Sequence, residues 1–104
     1  MLTKDLLLGK YRHKKTSKQY EVFIVAENLS LPITENRMMA VYGRAQQYYA
    51  RRIDEFGEKF VYLALERTPI TNIPSQVINA TNANDGQKLN LFLLDGLFYL
   101  RIVK

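Results

Sequence analysis

The chain has 104 residues, 47% of them apolar, a net charge of +5 and no cysteine. That is material for one domain with a real core, and it excludes a disulfide scaffold and any thiolate metal site. No apolar run approaches the roughly 20 residues that span a bilayer, and the first residues hold no signal-peptide hydrophobic region, so a cytoplasmic protein with no membrane contact is expected.

Seven tyrosines and five phenylalanines without a tryptophan favour strands, because aromatic side chains fit a pleated, half-buried surface. The charge is unevenly placed. Residues 4–18 carry six Lys or Arg against one Asp, whereas residues 61–104 carry four against three acids.

Along the chain, Thr3 to Gly9 reads as a single helical turn, capped by Thr3 and stopped by Gly9. Lys10 to His13 alternates as a short edge strand does, and Thr16-Ser17 suits a turn. Tyr20 to Glu27 is β-branched and aromatic, the best strand of the first half. Pro32 and its neighbours make 28–36 a loop, after which Arg37 to Tyr42 resumes as a strand ended by Gly43. Arg44 to Tyr49 fits a helical turn as well as a loop. Ile53 to Phe56, followed by Gly57, reads as a tight turn or a short 3₁₀ segment.

Lys59 to Glu66 is apolar on both faces, the pattern of a central, covered strand. Pro69 and Pro74 make 67–75 a connection, and Gln76 to Thr81 is a strand or a helical turn before the loop at 82–86. Lys88 to Leu94 and Leu97 to Val103 flank Asp95-Gly96, a pair whose tolerance of positive φ makes it the preferred type I′ hairpin turn. The hairpin is too apolar to stand alone in water, so another face must cover it. Six or seven short strands at this spacing close into a small barrel or roll.

Catalytic constellations are hard to assemble. One histidine and no cysteine leave neither a Cys/His pair nor a His-rich metal site. Asp54 and Glu55 are adjacent and point apart in a strand, and no Gly-rich phosphate loop is present. The stronger signal is a basic, aromatic run of Tyr11, Arg12, His13 and Lys14, together with Lys10, Lys15 and Lys18. In a strand, Lys10, Arg12 and Lys14 share one face while Tyr11, His13 and Lys15 share the other.

Such a row can track phosphates while its rings stack bases; equally, lysines guard a solvated edge strand against further pairing. Tyr49, Arg51 and Arg52, with Gln46, Gln47 and Tyr48, form a second polar-aromatic group of the composition found at contact surfaces. Its plainer reading has one tyrosine in the core and the arginines paired with Asp54 or Glu55. His13 is read as a structural hydrogen-bonding residue whose cationic neighbours depress its protonation.

Gly9-Lys-Tyr-Arg-His-Lys, Tyr20-Glu-Val22, Ala26, Ala40-Val-Tyr-Gly43, Tyr49-Ala-Arg51 and Phe56 resemble a small bacterial and phage family, domain of unknown function 1653, over roughly residues 9–60. The matching positions are Tyr11, Arg12, His13, Tyr20, Tyr42, Tyr49, Arg51 and Phe56. The chain departs from the family in having Thr16-Ser17 where a glycine is usual, Tyr49 in place of a tryptophan and Arg52 in place of a proline. The resemblance implies an SH3-like barrel or roll, encoded by a bacterium, phage or mobile element, and no established activity.

Together these readings give one mostly-β domain, an SH3-like barrel over 9–66 with an added C-terminal β-hairpin within 76–104. The expected function is a non-enzymatic binding module without cofactor or metal, contacting a protein partner or itself through the apolar hairpin. The alternative is a nucleic-acid-binding protein with a basic, tyrosine-rich surface. A third reading places a small-ligand or catalytic site around His13, Tyr42 and Arg51. The candidate binding residues are Tyr11, Arg12, His13, Lys14, Tyr42, Tyr49, Arg51 and Arg52.

Overall fold

A computed structural model describes residues 8–32, 36–44, 47–64 and 79–103. Its elements are β1 (Gly9–His13), β2 (Gln19–Asn28), β3 (Met38–Arg44), β4 (Gln47–Arg52), α1 (Ile53–Lys59), β5 (Phe60–Ala64), β6 (Asn79–Asn82), β7 (Lys88–Leu94) and β8 (Leu97–Ile102). Strands β3, β4, β6, β7, β8 and β2 are hydrogen-bonded in that order, and a further β2–β3 pairing closes them into a six-stranded barrel. Beyond β2, the sheet continues through β1 to β5. The fold is mostly β and compatible with the SH3-like barrel expected from the sequence.

The ten-residue strand β2 holds the two parts together. On one side it pairs with β3 over most of its length. On the other, β1 takes its first half, from Gln19 to Val22, and β8 runs parallel to its last two residues, Glu27 and Asn28. A bulge divides it: Val22 lies opposite Tyr42, but Ile24 lies opposite Val41, leaving Phe23 as the extra residue. Because side chains alternate along a strand, one inserted residue switches the faces. Val22 thus joins one core and Ile24 the other.

The first core draws on all six barrel strands, with Ile24, Met39, Val41, Ala50, Ala80, Leu89 and Leu100 among its buried members. The second gathers Tyr11, Val22, Ala40, Tyr42, Ile53, Phe56 and Phe60. Strand β3 serves both, Met39 and Val41 facing one and Ala40 and Tyr42 the other.

Several expectations are corrected. Strand β1 is not an edge, since β2 and β5 flank it. Strand β5 ends the strand order and pairs only with β1 among the described residues. Its apolar outer face reflects local packing: Tyr62 lies 5.4 Å from the Tyr11 ring while remaining, like Leu63, exposed.

Of the segment from 44 to 49, expected as a helical turn or a loop, Arg44 ends β3 and Gln47 to Tyr49 open β4. Ile53 onward is a seven-residue α-helix that continues through Gly57. Ile53 and Phe56 sit three apart and are both buried, with acids in the first turn and Lys59 in the last, as the helix dipole favours. The segment from 76 to 81, expected as a strand or a helical turn, yields β6 over its last residues. The helical turn expected before Gly9 lies outside the described residues but for Leu8, and Gly9 itself begins β1.

The C-terminal hairpin forms as expected, with Leu94 opposite Leu97 and positive φ at Asp95 (51°) and Gly96 (79°). It is built into the barrel wall, β7 beside β6 and β8 beside β2. Leu89, Leu91 and Leu100 are therefore covered from within the chain. Leu93, Leu94 and Leu97 at the tip stay exposed.

Candidate functional site

Five strands each turn a side chain toward one place. On β1, His13 follows Tyr11 by two residues and lies opposite Phe60, the first residue of β5. On β2, Tyr20 lies opposite Tyr11. Tyr42 on β3 faces Tyr49 on β4, and Arg51, two residues further, shares that face. Parallel pairing of β6 with β4, Tyr49 beside Thr81 and Ala50 beside Asn82, brings in the turn after β6. The backbone N–H of Ala83 anchors it on the Ala50 carbonyl at 3.0 Å. A cleft of about 340 Å³ results, lined by these side chains and by Thr81, Asn82, Ala83 and Gly86.

Its floor is aromatic and rigid. Tyr42 and Phe60 are buried, with ring centroids 5.2 Å apart. Tyr20 meets each edge-on at 5.5 Å. Tyr49 lies tilted at 5.6 Å from Tyr42, and the His13 ring stands edge-on to Phe60 at 4.8 Å. Tyr20, Tyr49, His13 and Arg51 are only partly buried and so form the accessible walls.

The polar groups are committed in an orderly way. Arg51 Nε donates to the Tyr42 hydroxyl at 3.3 Å, and its Nη1 donates to Glu55 Oε2 at 3.1 Å. The other Glu55 oxygen accepts from Asn84 Nδ2 at 2.8 Å. Tyr49 donates its hydroxyl to Gln47 Oε1 at 2.7 Å. His13 Nδ1 accepts the backbone N–H groups of Lys15 and Thr16 at 3.2 and 3.3 Å, so the proton of the neutral ring sits on Nε2.

Burial first, then the charges of Arg51, Lys59 and Lys15, holds His13 below the usual imidazole value. Burial pushes the Tyr42 phenol up, opposed by the hydrogen bond and charge of Arg51. The Tyr42 oxygen already accepts, so its proton is left to donate. The lining therefore holds donors in His13 Nε2–H, the Tyr42 hydroxyl and the remaining N–H groups of Arg51, beside the hydroxyls of Tyr20, Tyr49 and Thr81, which can also accept.

Of the residues singled out in the sequence, His13, Tyr42, Tyr49 and Arg51 meet here. Tyr11 does not; it fills the second core, its ring 5.0 Å from Phe56. Arg12 alternates to the opposite face of β1 from His13. Lys14 is exposed on the β1–β2 turn, its backbone N–H bonded to the Lys59 carbonyl at 2.9 Å. Arg52 points away from Arg51, its Nε 4.0 Å from Asp54 Oδ1.

Tyr20, Phe60 and the 81–86 turn were not picked out as binding residues. Tyr20 was legible as a β-strand aromatic, but the turn reaches the cleft only through a parallel pairing with no local sequence signature. A second cleft of about 300 Å³ shares Tyr20 with the first and is lined also by Lys10, Phe23, Arg44 and Tyr48, with the Phe23 and Tyr48 rings 5.6 Å apart.

Among the described residues, no three His, Cys, Asp or Glu side chains gather so as to hold a metal ion, and no helix is long and apolar enough to cross a membrane. No family model, curated protein or solved structure matches the chain.

Proposed function

We propose that the protein is a small binding module, not an enzyme, and that the cleft between His13, Tyr20, Tyr49 and Arg51 is where it holds its ligand. The carrying observation is the convergence of six strands, β1 to β6, and the turn after β6 on a single closely packed aromatic floor edged with hydrogen-bonding groups. Its volume falls at the lower end of the roughly 300–1,000 Å³ of small-molecule sites, and like them it joins aromatic side chains to placed polar groups. SH3-like barrels serve widely as binding scaffolds, which supports the reading by fold-level analogy alone.

Catalysis is disfavoured by how the candidate groups are spent. His13 Nδ1 is occupied by two backbone N–H groups, and Glu55 is held by Arg51 and Asn84. Neither is poised as a base beside a nucleophile.

Amide NMR spectra recorded against a library of small planar compounds test this. Hits whose shifts centre on His13, Tyr49, Arg51 and Asn82 are expected; hits that centre elsewhere, or a library without hits at millimolar concentration, overturn the assignment. Contact with a protein partner or a second copy is a further reading, favoured by the exposure of Leu93, Leu94 and Leu97 at the hairpin tip. It predicts concentration-dependent sedimentation that Leu97→Lys abolishes.

A further inference from the structure

We infer that the cleft takes a nucleobase, stacked on its tyrosines and read through a carbonyl-bearing edge by Arg51 and His13. This rests on the cleft being the binding site and names the chemistry of its occupant.

Three observations lead there. The accessible rings, Tyr20 and Tyr49, stand at 76° to one another beside a buried floor of Tyr42 and Phe60, so the cleft is walled as well as floored by aromatic rings. A flat ligand is therefore favoured over an aliphatic one. An alkylammonium ligand, the usual occupant of an aromatic cage, is disfavoured because Arg51 lines the same cleft and the carboxylate beside it, Glu55, is already taken up by Arg51 and Asn84. Arg51 cannot accept and His13 Nδ1 is already taken by two backbone N–H groups, so a ligand edge lying against these two residues must supply acceptors.

Guanine presents O6 and N7 to a guanidinium, and uracil and thymine present carbonyls. Adenine instead brings an amino donor toward groups that also donate, leaving them unpaired. Phosphate has a place beside the cleft. Lys14, Lys15 and Lys18 are exposed on the turn that follows His13, and Lys59 is tied to that turn, its carbonyl accepting the Lys14 N–H at 2.9 Å.

The base could come from a free nucleotide or from a single strand, and one set of titrations separates the two. The full chain is titrated by NMR and calorimetry with GMP, UMP, AMP and inorganic phosphate, and with oligo-U and oligo-A single strands. GMP and UMP are expected to shift His13, Tyr49 and Arg51 and to bind at least about tenfold more tightly than AMP.

Oligo-U that binds no more tightly than UMP identifies a free nucleotide as the source. Oligo-U that binds more tightly, with affinity falling steeply as salt rises, identifies a single strand whose phosphates lie on the turn lysines. Arg51→Gln is expected to weaken GMP and UMP at least about tenfold and to shrink their preference over AMP. Tyr49→Ala is expected to weaken all bases by a similar factor, with Tyr49→Phe restoring it; this second pair keeps the test open should Arg51→Gln fail to fold.

The inference is overturned if AMP binds as tightly as GMP and UMP. It is equally overturned if phosphate alone matches the nucleotides, or if no nucleotide shifts the cleft at millimolar concentration. In the last case, planar non-nucleotide hits at the same residues would leave the cleft standing as a site and remove only the nucleobase.

Discussion

At the scale of single residues, His13 shows how a local turn sets the chemistry of a site. The turn that returns the chain from β1 to β2 aims two backbone N–H groups at Nδ1. Protonating that nitrogen would break both bonds and add a cation beside Arg51, Lys59 and Lys15. The folded ring therefore binds its proton less readily than the unfolded chain does, and its midpoint lies below the usual 6.5. The sign follows by linkage: stability is full above about pH 6.5 and declines as pH drops from there toward the folded midpoint.

An NMR titration of the His13 ring is expected to give a midpoint below 6.5, and a midpoint above it contradicts the assignment. His13→Asn is expected to flatten the acid side of the stability curve. The same turn holds Ser17 at a φ of 63°, a left-handed conformation that costs a residue with a side chain roughly 1–2 kcal/mol. Ser17→Gly is expected to stabilise the protein by up to about 1 kcal/mol in chemical denaturation, the greater freedom of glycine in the unfolded chain offsetting part of the gain.

At the scale of elements, two features hold the cleft in shape. Helix α1 is only seven residues long and would not persist alone; it is fixed by Phe56, fully buried and stacked on Phe60 at 4.0 Å. Phe56→Ala is expected to cost about 3–5 kcal/mol and to loosen Phe60 beneath the cleft, seen as a lower denaturation midpoint and broadened Tyr42 and Phe60 ring signals. The β3–β4 hairpin depends on Gly43, where an added Cβ would stand 2.5 Å from Tyr48 Cδ1 and 2.9 Å from the Gln47 carbonyl. The carbonyl is backbone and cannot swing aside as the ring can. Gly43→Ala is expected to lose about 1–3 kcal/mol and to displace Tyr48 without touching Arg51, which faces the other side of β4.

At the scale of the molecule, what the sequence revealed and what it hid divide along physical lines. Local signals were readable: Asp95-Gly96 with its positive-φ turn, the β-branched run of β2, the Thr16-Ser17 turn. Non-local ones were not. Nothing near Tyr20 announces that the bulge at Phe23 switches β2 from one core to the other, because a bulge is defined by the partner strand. Strand β5 looked central because its residues are apolar on both faces, yet its place at the end of the sheet was decided by β1 pairing on both sides. Of the cleft, His13, Tyr49 and Arg51 were found from local composition and Tyr42 from the family resemblance, whereas the end of β6 and the turn after it arrive by a two-residue parallel pairing that leaves no mark in the sequence.

If Arg51 reads a ligand inside this cleft, as proposed, its neighbour provides the control. Arg52 carries the same charge one residue on but alternates to the opposite face. Affinities of Arg51→Gln and Arg52→Gln should be measured for the probe that shifts the cleft most strongly. A loss of at least about tenfold is expected for the first, as for a charge-assisted hydrogen bond, and little change for the second; equal losses would assign the binding to diffuse surface charge and contradict a reading role for Arg51.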